Sequence, residues 1–194
     1  MRRILLASTS RYRRELLARL RLPFEAVAPE VDERALAGES PAACALRLAR
    51  AKAMAVARAV PQAIVIGSDQ VADLDGEAIN KPGNHAAALE QLLRLQGRTA
   101  VFHTAVCVAS DGGRRLQADC VPTRVLFRRL PAARLEAYLR ADQPYDCAAS
   151  AKIESLGITL VAAVAGDDPT ALIGLPLIRL TDLLAAVGVD LPPA

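Results

Sequence analysis

The sequence predicts an α/β fold, in which a mixed sheet is flanked by helices. Of its 194 residues, 53% are hydrophobic and only 3% aromatic, and alanine and leucine supply most of the apolar set. Segments with helical periodicity alternate with apolar runs of strand length. Two strand-like segments joined by a glycine-containing turn indicate an antiparallel hairpin. The length suits a single domain over residues 1–194.

The first elements form a strand, a helix, a second strand and a longer helix. An apolar strand over residues 4–7 leads into hydroxyl residues and a helix with a leucine face. Residues 23–27 predict a short strand, followed by an acidic loop. Ser40-Pro41 is typical of a helix start, because it combines a capping hydroxyl with proline in the first turn. We expect this helix to end near Val60.

The middle of the chain is predicted to contain a strand that is buried on both faces. Residues 63–67 are an uninterrupted apolar run, which we expect to end at Ser68-Asp69-Gln70. Asp75-Gly76 is a hairpin signal. A helix is predicted over residues 85–96.

The remaining elements follow the same alternation. Pro122 indicates that its strand lies at an edge or carries a bulge, since proline cannot donate to a sheet. The predicted elements are strands over 98–110 and 114–127, a helix opened by Pro131, a loop over 145–154, a strand over 158–161, a turn over 166–169 and a helix over 176–187.

Charge and composition exclude several classes of protein. The net charge of +3 is mild and the arginines are interspersed with acids, so the pattern does not favour nucleic-acid binding. No apolar run approaches the ~20 residues that a membrane span needs. The apolar part of the N-terminus is too short for a signal peptide, so we expect a cytoplasmic protein. The cysteines, Cys44, Cys107, Cys120 and Cys147, form no C-x-x-C pair and are expected to be reduced.

Several site types are disfavoured by missing motifs. The sequence has no H-E-x-x-H, P-loop or G-x-G-x-x-G pattern. His85 and His103 have no ligand partner at suitable spacing, so both are interpreted as structural.

Residues 8–14 could form an anion site. Ser8 and Ser10 follow a strand, and Arg13 lies at the start of the next helix. Backbone N–H groups at a helix N-terminus, hydroxyls and guanidinium groups all suit phosphate. The alternative is an ordinary cap from Ser10 and a solvated basic helix face, which this stretch alone favours.

Lysine is rare in this chain. Only Lys52, Lys81 and Lys152 are lysines among the 24 basic residues. A lysine retained against such a bias can mark a place where a compact ammonium is needed rather than a planar guanidinium. Chance retention at surface positions is an equally good explanation at this point.

Acidic residues provide candidates for catalysis and for metal binding. Asp69 follows a fully apolar strand, where a carboxylate could serve as metal ligand or general base, or as a simple turn cap. Glu30, Asp32 and Glu33 could hold a divalent ion, although a solvated acidic loop is the more common interpretation.

Taken in order, the motifs resemble the Maf family of nucleoside triphosphate pyrophosphatases. The resemblance covers nearly the whole chain, and all three lysines fall on its motif positions. The motifs are Ala7-Ser8-Thr9-Ser10-Arg11-Tyr12-Arg13-Arg14-Glu15-Leu16-Leu17, Glu30-Val31-Asp32-Glu33, the Lys52 helix, Gly67-Ser68-Asp69-Gln70-Val71, Lys81-Pro82 and Gly174-Leu175-Pro176-Leu177.

The resemblance implies an elongated, ITPase-like α/β fold with two lobes and a central cleft, often a homodimer. It implies hydrolysis of a nucleoside triphosphate to the monophosphate and pyrophosphate with Mg²⁺ or Mn²⁺. Asp69 matches the proton acceptor, and Tyr12, Gln70 and Glu154 match residues that select the base. Gln70 with Glu154 is similar to the branch acting on 7-methyl-GTP, whose cationic base a carboxylate can pair with.

From the resemblance we hypothesise a phosphate clamp and a catalytic carboxylate. Asp69 would direct water at the α-phosphorus, and a divalent ion would be held by Glu33 or Asp69 together with phosphate. The substrate-binding residues would be Ser8, Ser10, Arg13, Lys52, Lys81 and Lys152. The alternatives are the dTTP/UTP branch of the family and a regulatory protein that acts in cell division by binding.

At three positions the sequence departs from the glycine that is usual in this family. They are Asn80, Ala105 and Ala149. A change from glycine matters where φ is positive or where the backbone lies against a ligand.

Overall fold

A computed structural model describes residues 2–192; Met1, Pro193 and Ala194 lie outside the described part of the predicted domain. The elements alternate between strands and helices, as the sequence predicts. They are β1 (Ile4–Ala7), α1 (Arg11–Ala18), β2 (Glu25–Val27), α2 (Pro41–Ala59), β3 (Ile64–Leu74), β4 (Glu77–Ile79), α3 (His85–Leu95), β5 (Thr99–Ser110), β6 (Arg115–Phe127), α4 (Ala132–Asp142), β7 (Val161–Ala165) and α5 (Leu177–Ala185).

The seven strands form one sheet with both parallel and antiparallel pairs, so the predicted mixed α/β class is confirmed. The order is β2-β1-β3-β5-β6-β7, with β4 paired to β3. Strand β1 is parallel to β2 and β3, and the other neighbours are antiparallel. The predicted hairpins at Asp75-Gly76 and at residues 111–113 join β3 to β4 and β5 to β6.

The long strand β3 contributes residues to three hydrophobic clusters. Ile64 and Ile66 belong to a core that also contains residues of α1 and α5, and Val65 packs on the opposite face with α2. Leu74 belongs to a separate core formed with α3, α4 and β7. The two faces and the two ends of the sheet are therefore covered by separate hydrophobic cores.

Helix α2 lies directly against β3. Ser40 caps its N-terminus by accepting a hydrogen bond from the Ala43 N–H. The contact is close because β3 carries glycine at position 67: a Cβ there would lie 2.3 Å from the Ala49 carbonyl oxygen and 2.7 Å from the Ala53 nitrogen. Gly67 therefore sets the distance between the helix and the strand.

The predicted end of β3 at residue 67 is wrong. The strand continues to Leu74, and Ser68, Asp69 and Gln70 lie inside it. Strand β5 pairs with this stretch, placing Ala105 opposite Asp69, so the backbone hydrogen bonds continue through the polar residues. Because side chains alternate along a strand, Asp69 faces α2 while Ser68 and Gln70 face the other side.

The C-terminal predictions are partly wrong. A strand was predicted over residues 158–161, but residues 158–160 form the end of a 3₁₀ turn, Leu156–Leu160, and β7 starts only at Val161. Strand β6 is not an edge strand, since it lies between β5 and β7, and its irregularity falls between Leu126 and Phe127. Pro122 is tolerated because β7 pairs only with residues 124–127, which leaves one side of β6 without a partner at Pro122. Within residues 2–192, no helix combines the length and the apolar character needed to cross a membrane.

Replacing Gly67 by alanine is expected to destabilise the protein strongly. The new methyl group would meet the main chain of α2, and such overpacking should lower the free energy of unfolding by about 3 kcal/mol. Gly76→Ala is the matched control: it adds a methyl with nothing within 4 Å at a φ of +88°, so its cost should be the backbone strain of roughly 1–2 kcal/mol. Urea denaturation measures both, and an equal or smaller loss for Gly67→Ala would contradict the packing role.

Candidate active site

A cleft of about 780 Å³ lies beside the middle of β3. Its walls come from the loop before α1, the loop before α2, the middle of β3 and the segment after β4. Among its lining residues are most of the predicted site residues: Ser8, Ser10, Tyr12, Arg13, Glu33, Lys52, Asp69, Gln70 and Lys81. Segments distant in sequence are thus brought together at one cavity.

The floor of the cleft carries a buried ion pair. The Lys52 ammonium, on α2, lies 2.7 Å from Asp69 Oδ1 on β3, and the two side chains are 6% and 11% exposed. Lys52 also lies 2.7 Å from Glu33 Oε1. In residues 2–192 the second oxygen of Asp69, Oδ2, makes no hydrogen bond to another protein group. Asp69 therefore has one oxygen fixed by a cation and one available to a ligand or water.

Glu33 is held as a carboxylate by its surroundings. Partial burial raises its pKa, but the hydrogen bond from Lys52 and the charges of Lys52, Lys81 and Arg13 outweigh this, so its pKa lies below the ordinary value. The side chain is otherwise exposed. Glu33 can therefore accept a cation from the solvent side of the cleft.

Arg13 is fixed by a backbone carbonyl from the far end of the chain. Its Nε donates to the Gly174 oxygen at 2.9 Å, and Ser68 Oγ donates to the same oxygen at 3.0 Å. Burial lowers the pKa of the guanidinium, while the charges of Asp69 and Glu33 oppose the shift. The Arg13 head group is thus held within range of the carboxylates and of the cleft.

Ser8 and Ser10 shape the turn that begins α1. Ser10 N–H donates to Ser8 Oγ at 3.1 Å, and the Arg13 N–H donates to Ser10 Oγ at 3.4 Å. The capping role of Ser10, which the sequence left as an alternative, is present, and both serines also line the cleft. The two interpretations are compatible, since a hydroxyl that accepts from the backbone can still donate to a ligand.

The two remaining lysines occupy different places. Lys81 is exposed and lines the cleft, and it makes no ion pair among the described residues. Lys152 does not line this cleft. Its ammonium lies 5.9 Å from the centroid of the Tyr12 ring, so it reaches the cleft wall only through that side chain.

Tyr12 forms part of the cleft wall between cations. The Arg11 guanidinium lies 5.6 Å from its ring centroid, close to the distance of Lys152 on the same ring. Its hydroxyl is 4.0 Å from Cys147 Sγ. Burial raises the pKa of the Cys147 thiol to about 12, with Asp146 adding to the shift. Tyr12 is therefore a ring that attracts positive charge, beside a thiol whose raised pKa disfavours the thiolate form.

Gln70 has a fixed amide orientation. Its Nε2 donates to Thr104 Oγ1 at 2.9 Å and to the carbonyl oxygens of Ala171 and Leu172 at 3.0 Å each. A flipped amide would place Oε1 against those carbonyl oxygens, which is unfavourable. The group that Gln70 can offer to a ligand is its carbonyl oxygen, an acceptor.

Glu154 lies apart from the main cleft. It is exposed and lines a second cavity of about 320 Å³, together with Thr123, Asp168 and Leu172. Burial raises the pKa of Tyr12 most, followed by Cys147 and Asp146, and the charge of Glu154 adds a smaller contribution. Tyr12 and Gln70 line the main cleft and Glu154 lines the second cavity, so the three predicted base-selecting residues do not share one cavity in this structure.

The departures from glycine have different structural consequences. Ala149 adopts a φ of +56° and Ser150 a φ of +53°, in the region that favours glycine. Asn80 has no such conformation, and Ala105 is a buried residue of β5 opposite Asp69. Of the three positions, only Ala149, in the 148–150 turn, has the positive φ at which replacing glycine causes backbone strain.

Two features of the cleft were not found by reasoning from sequence. Glu39 lines it and is bound by Arg47 at 2.6 Å, a hydrogen bond that lowers the pKa of Glu39 to about 2. Arg47 also donates to the Arg34 carbonyl oxygen, which anchors the loop carrying Glu33. The other feature is the Gly174 carbonyl, a backbone group that no side-chain pattern reveals.

The acidic groups fit a divalent cation that arrives with phosphate. Residues 2–192 contain no cluster of three or more histidine, cysteine or acidic side chains able to hold a metal. Mg²⁺ commonly uses one or two carboxylates with water and substrate phosphates. Asp69 and Glu33, joined through Lys52, supply that number of carboxylates.

Comparison with known proteins gives the family. The profile of the Maf-like protein family matches residues 3–187. A protein of Bordetella avium named 7-methyl-GTP pyrophosphatase is 59% identical over 97% of this chain and 94% of its own. Proteins of the same name from Albidiferax ferrireducens and Burkholderia pseudomallei are 55% and 57% identical, over 97% of this chain and 94% and 89% of theirs.

Among solved structures, a HAM1 protein from Coxiella burnetii aligns with a TM-score of 0.45 and 15% identity, over 68% of this chain and 75% of that one. The family resemblance inferred from the motifs is confirmed by the profile and by the relatives, which both span nearly all of the sequence. The chain belongs to the family of Maf-like proteins.

Proposed function

We propose that the protein is a nucleoside triphosphate pyrophosphatase that converts 7-methyl-GTP to 7-methyl-GMP and pyrophosphate. The observation that carries this proposal is the Lys52–Asp69 pair on the floor of a cleft that also presents Arg13 and Lys81. A buried carboxylate with one free oxygen, facing basic groups, suits water activation beside a phosphate chain. The names of the relatives at 55–59% identity support the same activity.

In this proposal the basic residues bind and orient the triphosphate. Arg13, whose Nε is fixed by Gly174, presents its remaining N–H groups to the cleft, and guanidinium forks suit phosphate oxygens. Lys81 makes no ion pair with residues 2–192, so it is available to the same chain of phosphates. Ser8 and Ser10 add hydroxyl donors at the start of α1, where helix N–H groups favour an anion.

Asp69 would position and deprotonate the attacking water. Lys52 binds Oδ1, which leaves Oδ2 to accept the proton as water attacks the α-phosphorus and the bond to pyrophosphate breaks. General-base assistance of this kind is worth roughly 10²–10⁴-fold, and alignment of the reactants adds to it. A bound divalent cation, held by Glu33 or Asp69 and the phosphates, would neutralise charge on the leaving pyrophosphate.

The base would be selected by one acceptor, one aromatic ring and one carboxylate. The Gln70 carbonyl can accept from a ring N–H or an amino group, and the Tyr12 ring attracts a cationic purine. Glu154 adds negative charge near Tyr12. Lys152, beside that ring, would extend to phosphate or ribose rather than to the base. The cytoplasmic location and the homodimer stay predictions from the sequence.

A nucleotide panel tests the proposed substrate directly. Pyrophosphate release from 7-methyl-GTP should exceed release from GTP and from dTTP at equal concentration, because only the methylated base is cationic. The measurement is kcat/KM for each nucleotide with Mg²⁺ and with Mn²⁺. Preference for dTTP or UTP would instead assign the protein to the other branch.

Replacing Asp69 by asparagine is expected to lower kcat by roughly 10²–10⁴-fold. Asparagine keeps an oxygen that can accept from Lys52, so the affinity for 7-methyl-GTP, measured by calorimetry, should change little. Asp73→Asn is the control, since Asp73 lies on the same strand but pairs with His103. Unchanged turnover in Asp69→Asn would remove Asp69 from its catalytic role.

Replacing the lysines of the cleft by arginine is expected to lower activity. Lys52→Arg places a larger, planar cation where the ammonium touches Asp69 and Glu33, both at 2.7 Å, so activity should fall severely. Lys81→Arg, at an exposed position, should lose less but still more than Arg58→Lys on the outer face of α2. The measurement is kcat/KM with unfolding monitored in parallel; equal tolerance at all three positions would refute the lysine requirement.

A further inference from the structure

The segment between β7 and α5 reaches the cleft floor through its backbone. This segment, residues 168–176, is called the carbonyl loop here. The Gly174 oxygen accepts from Arg13 and from Ser68. The Ala171 and Leu172 oxygens accept from Gln70, and Ala171 also accepts from Thr104. The loop therefore holds both a phosphate-binding candidate and a base-selecting candidate without contributing a side chain.

A buried carboxylate fixes this loop from within. Asp168 is 3% exposed. Its Oδ1 accepts from the Thr170 N–H at 2.9 Å and from the Thr170 hydroxyl at 2.7 Å, and its Oδ2 accepts from the Ile178 N–H at 2.7 Å. The described chain pairs it with no cation, so these donors and the N-terminal dipole of α5 compensate its charge.

Thr170 joins the two ends of the loop. Its hydroxyl accepts from the Leu177 N–H at 2.8 Å, and it lies 2.7 Å from Asp168 Oδ1 and 2.8 Å from the Leu175 oxygen. A hydroxyl has one proton, so it donates to one of these acceptors at a time. The start of the loop is thereby bound to its end, and Gly174 is enclosed between them with a φ of +125°.

We propose that Asp168 and Thr170 are positioning residues of the active site. They hold the carbonyl loop so that its oxygens orient Arg13 at the phosphates and Gln70 at the base. The catalytic consequence rests on the proposed nucleotide function. The geometric consequence, a correctly aimed Arg13, does not depend on which nucleotide is bound.

Thr170→Val and Thr170→Ser form a matched pair that tests the hydroxyl. Valine has the shape of threonine but removes the hydroxyl that contacts Asp168 Oδ1, the Leu175 oxygen and the Leu177 N–H, whereas serine keeps it. Thr181→Val is the control, because Thr181 only donates to the Leu177 oxygen within α5. Asp168→Asn is a second variant, since in either orientation its amide places an amino group, which cannot accept, against the N–H of Thr170 or of Ile178.

For Thr170→Val we expect kcat/KM for 7-methyl-GTP to fall about 10- to 100-fold, since small displacements of binding groups have effects of this size. KM should rise, and the preference for 7-methyl-GTP over GTP should shrink, because the loop oxygens that orient Arg13 and Gln70 would be displaced. Thr170→Ser and Thr181→Val should keep the original KM and preference. Asp168→Asn should follow Thr170→Val.

A purely structural role predicts a different result. Rates would then fall equally for both nucleotides, in step with the folded fraction, and KM and preference would stay constant. That outcome would overturn the proposal. The folded fraction is followed by circular dichroism at the assay temperature.

Binding of inorganic tripolyphosphate, measured by calorimetry, separates this inference from the proposed activity. Weaker binding of tripolyphosphate by Thr170→Val than by Thr170→Ser supports the positioning role, whether or not 7-methyl-GTP is turned over. Absence of turnover of 7-methyl-GTP by the unchanged protein would refute only the proposed activity. Equal binding in the two variants contradicts the positioning of Arg13. No binding to the unchanged protein would contradict both the phosphate site and this inference.

Discussion

The ammonium of Lys52 is the group on which the arrangement of the cleft depends. A buried cation costs several kcal/mol unless it is paired, and Lys52 is paired with Asp69 and Glu33. The pair can form only because α2 lies against β3 at Gly67, where a methyl group would not fit. Backbone packing therefore sets the distance between the two charges, and the charges in turn hold the Glu33 loop over the cleft.

The same strand distributes functional groups to both of its faces. Asp69 faces Lys52, while Ser68 and Gln70 face the carbonyl loop, because side chains alternate along a continuous strand. Placing these groups in the middle of a paired strand gives them a more rigid support than a loop would give. One strand thus carries both the carboxylate proposed for hydrolysis and the two side chains that contact the carbonyl loop.

Local sequence signals were sufficient for most elements and insufficient for the contacts between them. The cap at Ser40 and the turn at Asp75-Gly76 are encoded in adjacent residues, and both were predicted correctly. The end of β3 was predicted too early, because polar residues in a strand resemble its end unless the partner strand is known. The Arg13–Gly174 hydrogen bond joins residues 161 positions apart through a backbone oxygen, so no sequence spacing indicates it. The motifs could therefore name most of the residues at the cleft, and they included Gly174. They could not show that backbone oxygens of the carbonyl loop orient Arg13 and Gln70.

The charge balance of the cleft bears on how a triphosphate could be accommodated. Its lining includes the cations Arg11, Arg13, Lys52 and Lys81 and the anions Glu33, Glu39, Asp69 and Asp146. Two of these carboxylates already neutralise Lys52, so few positive charges remain for a phosphate chain that carries several negative ones. The shortfall would be met by cations that arrive with the substrate, as when Mg²⁺ is bound mainly by phosphate oxygens. This balance supports the proposed divalent cation on electrostatic grounds. It also suits the proposed role of Glu33 as a ligand of that cation, because Glu33 is exposed at the cleft and is kept anionic by Lys52.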